Sequence, residues 1–290
     1  MHPAPSIIVF TVLSGLGFGL LAFLGLGMPT VFGWTAFGYF TVAYLLAVIG
    51  LASSAFHLGN PQRALKAFTQ WRSSWLSREA CLSVATLIVM AIYGGALVFF
   101  NTKLSTLGLL GSFLSVATVF ATSMIYGQLK TVPRWNSWTT PVLFVTLSLA
   151  GGALLAGQIF FALGFLVLAG LLQVVAWIFG DGRFELAGST QETATGLGDI
   201  GTVRHFEAPH TGTNYLLREM VHQVGRKHAQ TLRAISLGLM VILPVVLLSL
   251  GVSYATVGLA AISHVAGVLA SRWLFFAEAE HVVGLYYGKR

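Results

Sequence analysis

The sequence predicts an all-α, polytopic membrane protein built as a bundle of eight transmembrane helices. Hydrophobic residues make up 56% of the chain and charged residues only 9%, whereas a soluble domain carries about 25% charge. The apolar residues form long runs, and a helix needs about 20 of them to cross a bilayer. These continuous runs exclude a membrane β-barrel, whose strands alternate over about ten residues.

Eight runs meet the length criterion: residues 6–27, 34–57, 80–100, 105–127, 139–156, 158–179, 233–251 and 254–276. Only the short Gly157-Gln158 turn separates the fifth from the sixth. We interpret residues 1–290 as one membrane domain. The first run is expected to be a retained helix, because no Lys or Arg precedes it and no small-residue cleavage site is recognisable. Pro244 should kink the seventh span.

An even number of spans places both termini on one face, together with the loops at 58–79, 128–138 and 180–232. These segments hold nearly all Lys and Arg residues, while Lys103 is the only charge on the opposite face. The positive-inside rule predicts that the charged face and both termini are cytoplasmic. Docking of a partner would explain the same cations, whereas the concentration of the +7 net charge in a few loops argues against nucleic-acid binding.

The 180–232 segment is the only sizeable part that should face water. Its first half is rich in Gly and Thr and is expected to be irregular. Asn214 can then cap an amphipathic helix on the membrane surface. Its apolar positions recur at helical spacing: Leu217, Met220, Val221, Val224 and His228.

The segment FHLGNPQRALKAFTQWRSSWLSRE carries the candidate chemistry. His57 ends the second span, and a group with a pKa near 6.5 suits proton exchange with a quinol hydroxyl. Glu79 begins the third run and is a candidate proton acceptor, since ionisable residues in spans indicate function. Simpler roles remain open, namely an interfacial histidine bonded to a carbonyl and a carboxylate favoured by the helix dipole. We interpret His57 and Glu79 as the catalytic pair of a quinol site.

Other residues of the same segment are expected to line that site. Asn60 and Pro61 predict a short interfacial helix, whose apolar face would carry Leu65, Phe68, Trp71 or Arg72, and Trp75. We include Trp71 and Arg72 in the quinone-binding set. Arg78 belongs there too, where it would orient a quinone carbonyl, although binding a lipid phosphate suits it equally.

The C-terminal segment RWLFFAEAEHVVGLYYGKR emerges on the same face. Glu278 and His281 therefore either line the quinol site or belong to a juxtamembrane anchor. His264, in the last span, could pair only with His57 as a haem ligand, and the two lie at different depths. No metal site is predicted, and the single cysteine, Cys81, cannot hold an iron–sulfur cluster.

Four segments resemble the membrane-anchor subunit family of dimethyl sulfoxide reductase: MHPAPSIIVFTVLSGLGFG, HLGNPQRA with WRSSWLSRE, GTVRHFEAPHTGTNYLLREM, and RWLFFAEAEHVVGLYYG. The resemblance covers essentially the whole chain. It implies eight helices, no haem or metal in this chain, and a quinol site in which the family's histidine falls on His57 and its acidic residue on Glu79.

The resemblance also implies a bacterial inner-membrane complex with two soluble subunits. One of these carries iron–sulfur clusters and the other molybdopterin guanine dinucleotide, with menaquinol or ubiquinol as the substrate of the anchor. Relatives include anchors of sulfite-oxidising complexes, in which electrons flow to the quinone. Two alternatives remain: a secondary transporter, which would need broken helices and midplane charges, and a b-type cytochrome.

Overall fold

The computed structural model describes residues 1–56, 60–207, 212–221 and 228–288. Over these ranges the protein is helical with no strand, which confirms the all-α prediction. The long helices are α1 (Pro5–Leu26), α2 (Gly33–Ala55), α3 (Trp75–Phe99), α4 (Ser105–Gly127), α5 (Thr139–Leu155) and α6 (Ile159–Asp181). Three short helices follow on the charged face: α7 (Arg183–Leu186), α8 (Gln191–Thr195) and α9 (Tyr215–Glu219). The last helices are α10 (Ala229–Leu237), α11 (Leu243–Leu250) and α12 (Tyr254–Ala277).

Seven helical spans in the described ranges are long and apolar enough to cross a membrane. The shorter Thr139–Leu155 helix, α5, is also apolar, and its 17 residues reach the lower limit for a span. The eight-helix prediction agrees with this set. The seventh span runs over α10, a π-helical turn at Gly238–Ile242, and α11. Pro244 lies in the first turn of α11, so the irregular turn directly precedes the predicted kink.

One predicted boundary was wrong in a way that matters for the site. The third span begins at Trp75 rather than at residue 80, with Ser74 as its N-cap residue. Hydropathy missed the start because the first turns carry Ser77, Arg78 and Glu79. Trp75 therefore lies on α3 and not on the interfacial helix, which is a 3₁₀ helix covering only Pro61–Phe68.

Helix α1 lies at the centre of the bundle and packs against α2, α4, α5 and α12. Small residues permit this close packing. A Cβ on Gly19 would lie 2.0 Å from the backbone oxygen of Ser148 on α5, and one on Gly17 would lie 2.4 Å from the backbone nitrogen of Ala47 on α2. The glycine-rich SGLGFG run is therefore a helix-packing motif.

Backbone contacts bring the termini and the charged loops together on one face. The N-terminal ammonium of Met1 donates to the carbonyl of Ala279 at 2.7 Å. The amide of His2 donates to the carbonyl of Glu219, and that of Val282 donates to the carbonyl of Thr131. These bonds confirm that both described ends lie beside the loops at 128–138 and 180–232.

The amphipathic helix predicted after Asn214 is short in its described part. Asn214 caps α9 as expected, because its side-chain oxygen accepts a hydrogen bond from the amide of Leu217 at 2.9 Å. The helix ends at Glu219. Residues 222–227, which include Val224 of the predicted apolar face, lie outside the described ranges.

Candidate functional site

Glu79 is a carboxylate buried inside the bundle. It lies in the second turn of α3 and is only 5% exposed. The hydroxyl of Thr122 on α4 donates to its Oε1 at 2.6 Å. We expected Glu79 at the mouth of the third span, but the earlier start of α3 places it within the helix. The helix-dipole explanation is thereby weakened, because the dipole acts mainly in the first turn.

Hydroxyl groups continue from Glu79 into the α3–α4 interface. Thr122 stands one turn from Thr118 on α4, and the Thr118 hydroxyl lies 3.0 Å from that of Thr86 on α3. Both of these threonines are fully buried. Each also bonds to a carbonyl of its own helix, which is how hydroxyl side chains satisfy themselves in spans. The hydrogen-bond donor to Glu79 is thus a neutral hydroxyl, and none of the ion pairs among the described residues involves Glu79.

Arg78 points away from Glu79 and back to the preceding loop. Its Nε donates to the carbonyl of Trp71 at 3.0 Å, and a terminal nitrogen donates to the carbonyl of Arg72 at 2.8 Å. The guanidinium also stacks over the Trp75 ring, 4.3 Å from its centroid. Arg78 thus fixes the loop to the start of α3, while the side chains of Trp71 and Arg72 are exposed.

Glu278 joins an ion-pair network at the charged face. Its carboxylate accepts a bond from Arg134 at 2.7 Å and from Arg233 at 2.7 Å. Both arginines also bind Asp181 at the end of α6. The network ties the loop after α4 to the ends of three helices, so Glu278 is held there rather than beside Glu79.

His281 caps the last 3₁₀ helix, Val282–Tyr287, because its Nδ1 accepts the amide of Val283 at 3.0 Å. Burial lowers its pKa, and the N-terminal ammonium of Met1 lowers it further. His264 is fully buried in α12, with Nδ1 at 2.8 Å from the carbonyl of Met240. In the described part of the protein, no three His, Cys, Asp or Glu side chains are grouped so that they could hold a metal ion.

The predicted site residues are thus only partly brought together. His57 lies outside the described residues; the description of α2 ends at its C-cap, Phe56. Glu79 and Arg78 are neighbours that face the bundle interior and the loop respectively. The assignment of all these residues, and of Glu278 and His281, to a quinol site stays a prediction.

Sequence reasoning missed Arg272, which is 3% exposed in α12. Its guanidinium stacks on Phe144 of α5, 3.4 Å from the ring centroid, and its Nε has no hydrogen-bond partner among the described residues. The available signal was its position near the end of an apolar run, where a charged side chain needs contacts inside the bundle. The sequence interpretation placed Arg272 in the C-terminal segment instead.

The family model for the DMSO reductase anchor subunit (DmsC) matches residues 1–278. The protein belongs to this family. A full-length relative is a sulfite dehydrogenase subunit of Allochromatium vinosum, with 32% identity over 99% of both sequences. One polypeptide of the anaerobic dimethyl sulfoxide reductase of Escherichia coli is 34% identical over 39% of this protein and 40% of its own length. No solved structure matches the sequence.

The relatives named above are subunits of oxidoreductases, and the long apolar helices of this protein are those of a multi-pass membrane protein. The match runs through α1 to α12 and ends at Glu278. It therefore includes both the buried Glu79 and the ion-pair network of the charged face.

Proposed function

We propose that this protein is the membrane anchor and quinone-reactive subunit of a three-subunit molybdopterin oxidoreductase. The observation that carries the proposal is the buried Glu79 carboxylate, which lies in the second turn of α3, shortly after a basic, aromatic loop. A carboxyl group in such a place can exchange protons with an apolar substrate that reaches it from the bilayer.

In this mechanism a quinol binds between the loop that starts at His57 and the first turns of α3. His57 and Glu79 accept its two protons, and Thr122 keeps the Glu79 carboxylate oriented. Arg78 holds the loop against the helix and so shapes the pocket. Because Cys81 is the only cysteine, this protein cannot hold an iron–sulfur cluster. The two electrons therefore pass to clusters in a soluble partner subunit, which delivers them to a molybdopterin guanine dinucleotide subunit.

The partner subunits would dock on the face that carries the termini and the loops at 128–138 and 180–232. Its surplus of Lys and Arg supports both docking and a cytoplasmic orientation in a bacterial inner membrane. Asp181 and Glu278 neutralise Arg134 and Arg233 within the network, so other cations of this face remain available to a partner.

The reverse direction of electron flow is the second candidate. It is favoured by the relative that aligns over its whole length, which is a sulfite dehydrogenase subunit. In that case electrons arrive from the partner, and the same residues deliver protons to the quinone. The potentials of the partner centres, and not the residues of the anchor, decide between the two directions.

The decisive experiment is Glu79→Gln in the assembled complex, with Gln158→Leu, in the turn before α6 and away from the charged face, as the control. Glutamine keeps the oxygen that accepts from Thr122 but cannot take a proton. Quinol-linked turnover should fall by about 10²-fold or more, the usual contribution of a positioned acid or base, while the control retains its rate. Full turnover in Glu79→Gln would refute the role of Glu79.

A second experiment addresses His57. His57→Ala should weaken binding of a quinone analogue and reduce turnover, with assembly of the complex unchanged on a native gel. Unaltered binding and turnover would remove His57 from the site. A visible spectrum of the purified protein tests the cytochrome alternative, because a reduced haem band would contradict this proposal.

A further inference from the structure

Three cavities lie in a row between Glu79 and the charged face. The first is lined by Thr122 and Arg272, the second by Arg272 and Glu278, and the third by Glu278 and Asp181. Each cavity therefore shares a charged side chain with the next. The quinol site does not require such an arrangement, which crosses the bundle from α3 and α4 to α6, α10 and α12.

Thr122, whose hydroxyl donates to Glu79, lines the first cavity. Its water-accessible volume is ≈ 20 Å³, which is room for about one water molecule. His264 also lines it, and the Nε2 of that ring has no hydrogen-bond partner among the described residues. A buried polar atom without a protein partner is where an internal water is expected.

Arg272 separates the first cavity from the second and lines both. Its guanidinium carbon lies over the Phe144 ring, and none of the ion pairs in the described part of the protein involves Arg272. Its Nε is a buried donor that no described residue satisfies, and leaving such a donor without an acceptor costs free energy. Water in the two cavities would supply that acceptor and would be oriented by the fixed positive charge.

The second cavity has a water-accessible volume of ≈ 40 Å³, enough for about two or three water molecules. Its polar lining includes Gln173 and Ser271, whose hydroxyl donates to the Gln173 Oε1 at 2.7 Å. Both side chains are buried. At its far end stand Arg134 and Glu278, which also line the third cavity.

The third cavity, of ≈ 200 Å³, contains the ion-pair network. Its carboxylates differ in exposure, because the Glu278 side chain is 6% exposed and that of Asp181 is 49% exposed. Asp181 thus reaches the aqueous face, while Glu278 faces the interior. The network is the point at which the row of cavities opens to solvent.

We propose that this row of cavities is a proton route between Glu79 and the aqueous face, with Arg272 as the residue that positions its water. The inference rests on the proposed quinol site. When a quinol becomes a quinone it loses two electrons to the clusters of the partner and two protons. The proton on Glu79 passes through the Thr122 hydroxyl and cavity water to Glu278 and leaves at Asp181. Arg272 stays charged throughout and does not carry the proton.

The test replaces Gln173 by Leu in the assembled complex, with Gln158→Leu as a matched control. Gln158 lies in the turn before α6, on the opposite face from the charged loops. A second variant, Ala176→Leu, fills the middle cavity without removing a hydrogen bond. Turnover is measured in H₂O and D₂O, and the affinity for a quinone analogue is measured in parallel.

Gln173→Leu and Ala176→Leu should lower turnover by about tenfold, within the range expected for an impeded proton transfer, and should increase the solvent isotope effect. Analogue affinity should not change, and Gln158→Leu should match the unmodified complex. The proton route would be refuted if Gln173→Leu and Ala176→Leu both showed the turnover and isotope effect of the unmodified complex. If Glu79→Gln were inactive at the same time, the proposed quinol site would still stand. An active Glu79→Gln complex would overturn both.

Discussion

The two carboxylates of the ion-pair network provide a sharp prediction about stability. Glu278 and Asp181 bind the same two arginines, Arg134 and Arg233, but Glu278 is almost fully buried while Asp181 is half exposed. Removing one member of a buried ion pair leaves an uncompensated charge and costs about 3–5 kcal/mol. Loss of an exposed pair costs about 0–1 kcal/mol. Glu278→Gln should therefore destabilise the protein by roughly 2–5 kcal/mol more than Asp181→Asn does.

The assay is reversible unfolding of the purified protein in mixed micelles, followed by the helical circular dichroism signal, with thermal unfolding as a second measure. Each substitution preserves shape and removes one charge, so the pair isolates the effect of burial. In Glu278→Gln, Asp181 alone has to neutralise the guanidinium groups of Arg134 and Arg233. Equal losses of stability in the two variants would refute the argument from burial.

Three further predictions concern packing, the acid and pH. Gly19→Ala should lower the unfolding free energy by about 1–3 kcal/mol or more through overpacking against α5, whereas Gly164→Ala, with nothing within 4 Å of its added carbon, should raise it by up to about 1 kcal/mol. Thr122→Val should lower the free energy of unfolding by about 1–3 kcal/mol, because the Glu79 carboxyl loses its hydrogen-bond donor. The same substitution should lower the free energy of unfolding by less in a Glu79→Gln background. The pKa of His281 is lowered in the folded protein, so as the pH falls the unfolded protein binds this proton before the folded protein does. The free energy of unfolding should therefore decrease as the pH drops below about 6.5. His281→Asn should weaken this pH dependence in a series of melting temperatures.

Much of the fold follows from hydropathy alone, because a spanning helix must be long and apolar whatever its neighbours are. The start of α3 was mispredicted for a physical reason. Arg78 can turn back to loop carbonyls and Glu79 can accept a threonine hydroxyl, so polar residues fit within the first turns of a span. A hydropathy window cannot register partners that come from another helix.

The candidate site was predictable in its residue types but not in its connections. Glu79 could be selected as an ionisable residue beside an apolar run, yet its partner Thr122 is 43 positions away on α4. The network of Glu278 with Arg134 and Arg233 joins parts of the sequence that only tertiary structure brings together. Arg272 shows the same limit, because stacking on Phe144 and the lining of two cavities leave no local pattern in the sequence.

The central position of α1 has a consequence for biosynthesis. This helix is translated before the other spans, yet it is the most enclosed of them, and one of the helices that covers it is α12, the last to be made. Its glycine-rich surface is therefore not covered by α12 until the more than two hundred residues between the two helices have been synthesised. Membrane insertion and final packing must then be separate events for this protein, with closure of α12 onto α1 as a late step of assembly.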